Sequence, residues 1–197
     1  MNSTGFDFDL FFSTSDEPIY CLDKEIYLSS LLHIPFIHIA TAGGLVHENI
    51  YKRQTHAQIR KKIKLLHNDI KMDFLVNPNL DKILDQKKIL NDESYTFNRE
   101  SYLHDFIEYA KCGFLSFDRT TLNKTSDNSY HLVAYPVFDE NYPEIIKNLF
   151  NMNLKRYNHR ILNKYIQRFV THDLNANLHG EHLVLKMGAR SQVVLSM

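Results

Sequence analysis

The chain has 197 residues, 44% of them hydrophobic and 23% charged, with Lys+Arg and Asp+Glu equal at 23 each. That balance predicts one globular domain with a substantial core, and it excludes a low-complexity tract or a disulfide-built scaffold. No run approaches the roughly 18 apolar residues of a membrane span, and two cysteines with no basic-then-apolar start predict a cytoplasmic setting without a secretion signal.

Phe6 to Phe12 begins by alternating apolar and acidic side chains, as a strand with Asp7 and Asp9 on one face would. Ile19 to Leu22 is a short second strand, and residues 25–33 suit a helix or a strand equally. Ile34 to Ala40 is a compact apolar run that reads as a buried strand, with Pro35 near its start. It leads into the Thr41-Ala42-Gly43-Gly44 loop and a long helix over 47–71, whose Ile59, Ile63, Leu66 and Ile70 share one face. Phe74 to Val76 is a brief strand. Asn79 is placed to cap a helix over 80–90 and Asn98 another over 99–111, which Gly113 stops. Phe114 to Thr120 and Tyr130 to Val137 form a hairpin-like pair around a polar connection. Pro143 starts a helix to about 151, a second long helix covers 154–171, and a C-terminal hairpin joins His182–Met187 to Ser191–Leu195. The order predicts an α+β fold, with a mixed or mostly antiparallel sheet, two long amphipathic helices and a C-terminal β-hairpin.

Charge is unevenly spread. Residues 46–72 hold seven Lys/Arg against two acids, and residues 152–172 hold five against none, leaving the remainder at −10. On the first long helix Arg53, His56, Arg60, Lys64, His67 and Lys71 form a stripe beside the apolar one. On the second, Arg156, Arg160, Lys164 and Arg168 follow at i+4 steps, with Ile161, Leu162, Tyr165 and Phe169 as the buried side. Like charges at that spacing repel by roughly a few tenths of a kcal/mol per pair, so a bound anion or acidic surface of the same chain must relieve them. The first 26 residues carry six acids and one base, and could serve as that surface. If a nucleic acid is bound instead, the cations meet phosphates, and Tyr51 and Tyr157 can stack on bases.

The strand–loop–helix around Thr41, Gly43 and Gly44 aims backbone N–H groups at one point, a geometry suited to phosphate or carboxylate, although it is neither a dinucleotide fingerprint nor a Walker loop. His38 and His47 flank it as candidate bases, His38 equally as a hydrogen-bonded core residue. His172, His179, Glu181 and His182 are candidate metal ligands, as is the Asp7/Asp9 pair, with chance clustering of 11 histidines as the plainer account. Asp118 and Arg119 stand on a strand without an evident partner. Cys112, at a helix C-terminus, is a poor nucleophile because the dipole raises its pKa. Three functions follow. They are a binding protein for an anionic partner (nucleic acid, nucleotide phosphate or acidic protein), a small-molecule enzyme or ligand-binding domain at the Thr41–Gly44 loop, and a non-catalytic interaction or inhibitor module, homo-oligomeric if its acidic surface is the interface. No cofactor is specified.

Overall fold

The computed structural model describes residues 25–29, 36–44, 46, 72–90, 98–122, 127–150, 154, 157–178, 184–187 and 191–194. The expected strands at 6–12 and 19–22, the helix at 47–71 with Arg53, Arg60, Lys64, Lys71 and His47, and also Arg156, His179, Glu181 and His182, lie outside them.

The strands are β1 (Glu25–Ser29), β2 (Phe36–Ala40), β3 (Phe74–Val76), β4 (Leu115–Arg119), β5 (Ser129–Pro136), β6 (Leu174–Asn177), β7 (Val184–Met187) and β8 (Ser191–Val194). The helices are α1 (Leu80–Leu90), α2 (Arg99–Lys111), α3 (Tyr142–Phe150) and α4 (His159–Thr171). All eight strands join one mixed sheet in the order β1-β2-β4-β5-β6-β7-β8, with β3 also on β5. β2 and β4 are parallel, and the other pairings are antiparallel. The fold is therefore mixed α and β, and the strands β7 and β8 near its C-terminus pair antiparallel.

Of the ambiguous 25–33 segment, Glu25–Ser29 is a strand against β2, with Ile26 and Tyr27 buried. β2 starts at Phe36, immediately after Pro35, whose missing N–H suits a strand boundary. β6 is a strand that the polar look of His172-to-His182 concealed. It pairs with Ser129 and Tyr130 of β5, and its Leu174 and Ala176 are fully buried.

β5 is long enough to serve two partners along one edge. β3 pairs with Ala134 to Pro136 and β6 with Ser129 and Tyr130. Asn77 fills the interval: its backbone N–H donates to the Val133 carbonyl at 2.9 Å and its side-chain amide to the Leu132 carbonyl at 2.8 Å. A buried amide thus supplies the donors that a strand would have given.

The helices cover both faces. Leu80, Leu84, Leu103, Phe106 and Ala110 of α1 and α2 pack on Val133 and Ala134. Ile146, Leu162, Ile166, Phe169 and Val170 of α3 and α4 pack on the opposite face with Phe117, Tyr130 and Leu132. α2 has the expected boundaries. Asn98 accepts from the N–H groups of Glu100 and Ser101 at 2.9 and 3.2 Å, and Gly113 turns the chain at φ 91°. Asn79 precedes α1 as expected, but its side-chain amide crosses to the Val170 carbonyl instead, at 3.1 Å.

α4 is shorter than the 154–171 helix read from the sequence. The Asn158 side chain accepts from Arg160 and Ile161 N–H groups, so the helix begins at His159. Its buried stripe is Leu162, Ile166, Phe169 and Val170; Ile161 is 41% exposed and Tyr165 half-buried. Among the described residues, no helix is long and apolar enough to cross a membrane.

Candidate functional site

The chemistry gathers where β2 and β4 end. Because these strands are parallel, the Thr41–Gly44 turn and the Asp118–Thr120 segment emerge at the same edge of the sheet. Alternation then sends Asp118 and Thr120 toward α1 and α2, and Arg119 toward α3 and α4.

On the α1/α2 face, polar contacts link six side chains from five parts of the chain. Lys87 of α1 forms an ion pair with Asp118 Oδ2, and both residues are buried. The Tyr102 hydroxyl of α2 donates to the same oxygen at 2.8 Å and lies 3.3 Å from His131 Nε2 on β5. His131 Nδ1 lies 3.4 Å from Thr120 Oγ1, which donates to Asp173 Oδ2 at 3.0 Å. Burial alone would push the Asp118 carboxyl up. The Lys87 ammonium, His131 and the hydrogen bonds from Lys87 and Tyr102 outweigh it and hold the group below the usual carboxylate range. Burial pushes His131 down to about 4, against the pull of Asp118. Burial also raises Asp173, which the Thr120 hydrogen bond only partly offsets.

Asp118 is ionised and can only accept, so the Tyr102 proton points to it. The Tyr102 oxygen is then free to accept from His131 Nε2. The Thr120 hydroxyl likewise gives its one proton to Asp173, so the single N–H of a neutral His131 can serve only one of the Tyr102 and Thr120 oxygens. A base with a pKa near 4 takes few protons at neutral pH, so the chain of groups orders the sheet edge and makes a weak general base.

Stability should therefore fall in acid. His131 has a folded pKa below its unfolded value of roughly 6.5. Its contribution is complete above pH ~6.5 and is lost as pH falls to about 4, worth about 3 kcal/mol across that window. Asp118, also depressed, loses stability in the same direction, whereas Asp173, raised, opposes it. Urea midpoints of wild type and His131→Gln between pH 4 and 7 check this: the acid loss should be distinctly smaller in the variant.

On the other face, the Arg119 guanidinium is buried at 1% exposure. It donates to the Thr41 carbonyl at 3.2 Å and to the Asp127 carbonyl, and it hydrogen-bonds Tyr130, whose hydroxyl burial raises to about 12. Ala42 and Gly43 both have positive φ, 41° and 78°, and Gly44 N–H closes the turn on the Thr41 carbonyl at 2.8 Å. Gly44 has no room for a side chain: a Cβ there would lie 1.6 Å from Arg119 Nη1. The loop read as an anion cradle thus meets a cation of its own chain through its carbonyl side, and Thr41 is buried.

His38 is a buried core histidine, bonded to Ser116 Oγ at 2.7 Å and stacked on Tyr109 with ring centres 3.8 Å apart. Cys112 is buried, and desolvation ahead of the nearby Glu108 raises its thiol to about 11; the inertness expected from the helix dipole arises mainly from burial. His172 is exposed at the end of α4, bonded to Thr171. No group of three metal-ligating side chains occurs among the described residues.

The cations expected on the second helix lie in solvent. Arg160, Lys164 and Arg168 are all exposed on α4, which contains no acidic residue, and Arg168 also lies against the Tyr165 ring. Among the described residues, neither Arg160 nor Lys164 has an acidic partner within ion-pair distance. Tyr157, a candidate stacking residue, instead stacks on Tyr142 and donates to the Asp139 carbonyl. Compared with protein-family models, curated proteins and solved structures, the chain gives no significant match.

Proposed function

We propose that the protein binds an anionic partner over the outer face of α4. The observation that carries this reading is the exposed row Arg160, Lys164 and Arg168, spaced about 6 Å apart along the axis, on a helix without an acid. The row is held rigidly. Leu162, Ile166, Phe169 and Val170 anchor the opposite side of the helix in the core, and Asn158 caps its start. Cations on a fixed helix lose little backbone freedom on binding a polyanion, and they gain from counterion release. Repulsion along the row is relieved by the same event.

The test is retention on heparin and binding of a labelled polynucleotide at several salt concentrations. Arg160→Glu/Lys164→Glu is expected to weaken binding by about tenfold or more near 0.1 M salt and to flatten its salt dependence. Unchanged binding in that variant, with the fold intact by circular dichroism, would remove α4 as the site.

A further inference from the structure

We propose that His172 is a further residue of this binding face, adding its charge to the row in its protonated form, so that anion binding tightens as pH falls from 8 to 5.5. This rests on the reading of α4 as the anion-binding face and adds a regulator to it, whatever the polyanion. Placement carries it. At about 100° per residue, Arg160, Lys164 and Arg168 span about 80° of the solvent side of α4, opposite Leu162, Ile166, Phe169 and Val170. Thr171 falls within that arc, between Arg160 and Lys164 in projection, on the last turn. His172 follows as the C-cap with extended backbone, φ −138° and ψ 143°, so the helix itself does not aim its side chain. Thr171 does, because its Oγ1 lies 2.7 Å from His172 Nδ1. The exposed imidazole is thereby seated at the C-terminal end of the cationic arc. His159, the other histidine of α4, projects to the core side and is half-buried.

The hydrogen bonds suit that role. The Thr171 hydroxyl turns back to the Gln167 and Arg168 carbonyls at 3.1 and 3.2 Å, so its oxygen can accept from Nδ1–H of the ring. A protonated imidazole carries a second N–H, on Nε2, for an anion. Imidazole is the side chain that changes charge between pH 5 and 8, whereas the Arg and Lys of the row keep theirs. Two charged groups bear on it. The Asp173 carboxylate, held by Thr120 and lying near Asp127, attracts the imidazolium. Arg168, four residues back, opposes it and lies against the Tyr165 ring. With the ring neutral, Asp173 repels a polyanion at this end of the row; with the ring protonated, that charge is offset. Burial makes Asp173 itself easier to protonate than an ordinary carboxyl, which acts in the same direction and is separated from His172 by the variants below.

The experiment measures binding of a labelled polynucleotide to the full chain at pH 5.5, 6.5 and 8 and at several salt concentrations. Wild-type binding is expected to tighten about fivefold from pH 8 to 5.5, with a log–log salt slope steeper by nearly one, as for one added phosphate contact. His172→Gln should bring the pH change below about twofold. His172→Arg should bind at pH 8 about as tightly as wild type at pH 5.5 and respond little to pH. By reciprocity, saturating polynucleotide should strengthen proton binding to the His172 ring by about the same fivefold, read from its NMR titration. A pH change above about twofold that persists in His172→Gln, or none in wild type, overturns the role of His172. It leaves anion binding at α4 in place, provided Arg160→Glu/Lys164→Glu still loses affinity. Binding that is indifferent to the charge-reversal variant overturns the two together.

Discussion

Lys87→Met is expected to destabilise the protein by about 3–5 kcal/mol, lowering Tm by roughly 10 °C or more. The reason lies in where the ion pair sits. Lys87 and Asp118 are 5% and 4% exposed, between α1 and the sheet. Removing the ammonium leaves a carboxylate that water cannot reach, held only by the Tyr102 hydroxyl and the Arg119 backbone N–H, which donates to Asp118 Oδ1 at 2.8 Å. The uncompensated charge, more than the lost attraction, sets the cost. Lys87→Met/Asp118→Leu removes both charges and should recover most of the loss, since a buried pair replaced by apolar groups of similar volume is often near neutral. Urea denaturation of the two single variants and the double variant measures this as a coupling energy. A Lys87→Met protein within about 1 kcal/mol of wild type would show that the pair is not desolvated as described.

Gly44→Ala should cost about 2–4 kcal/mol, a large effect for one methyl group in a turn. The added carbon would lie 1.6 Å from Arg119 Nη1, 2.7 Å from Cζ and 2.9 Å from the Thr41 carbonyl oxygen. A flexible arginine at the surface would swing away. Arg119 cannot, because its guanidinium is buried and held by the Thr41 and Asp127 carbonyls and by Tyr130. Moving it breaks charge-assisted hydrogen bonds in the interior, while the Thr41 oxygen belongs to the backbone of the turn itself. Arg119→Met should also be destabilising, yet Gly44→Ala should cost much less in that background because the clash is gone. Additive losses in the double variant, read from denaturant midpoints, would mean that the two positions do not share space.

These two contacts give the sheet edge its rigidity from opposite faces. The Arg119 clasp joins the end of β2 to the β4–β5 connection, and the Lys87–Asp118–Tyr102–His131–Thr120–Asp173 chain joins α1 and α2 to β4, β5 and the start of β6. α4 ends at Thr171, two residues before Asp173. The helix that carries the proposed binding face is therefore tied at its C-terminal end to a well-ordered polar network, and by Asn79 to the start of α1.

Local chemistry in the sequence was enough to place Asn98 as a cap, Gly113 as a stop, a strand over the 34–40 run that holds β2, the β4–β5 pairing and two strands near the C-terminus that pair as β7 and β8. It also placed Arg160, Lys164 and Arg168 together on one helix face, because i+4 spacing is an intrinsic property of the helix. One signal was present and passed over. Lys87 follows Leu80 and Leu84 at the four–three spacing of a buried stripe, so its burial was written in the periodicity of α1. What only the tertiary structure decided is which distant groups meet. Asp118 and Arg119 stand without partners in the sequence because their partners come from residues 8 to 78 positions away, brought together by the parallel β2–β4 step and by helices on both faces. The glycine loop shows the same division: two glycines announce a turn, but that its Thr41 carbonyl meets Arg119 depends on what the neighbouring strand delivers to that edge. Burial then changed the chemistry: it makes His131 a weak base, and it would neutralise Asp118 if Lys87, His131 and the Tyr102 hydroxyl did not outweigh it, because desolvation and buried pairing depend on packing that no local pattern encodes.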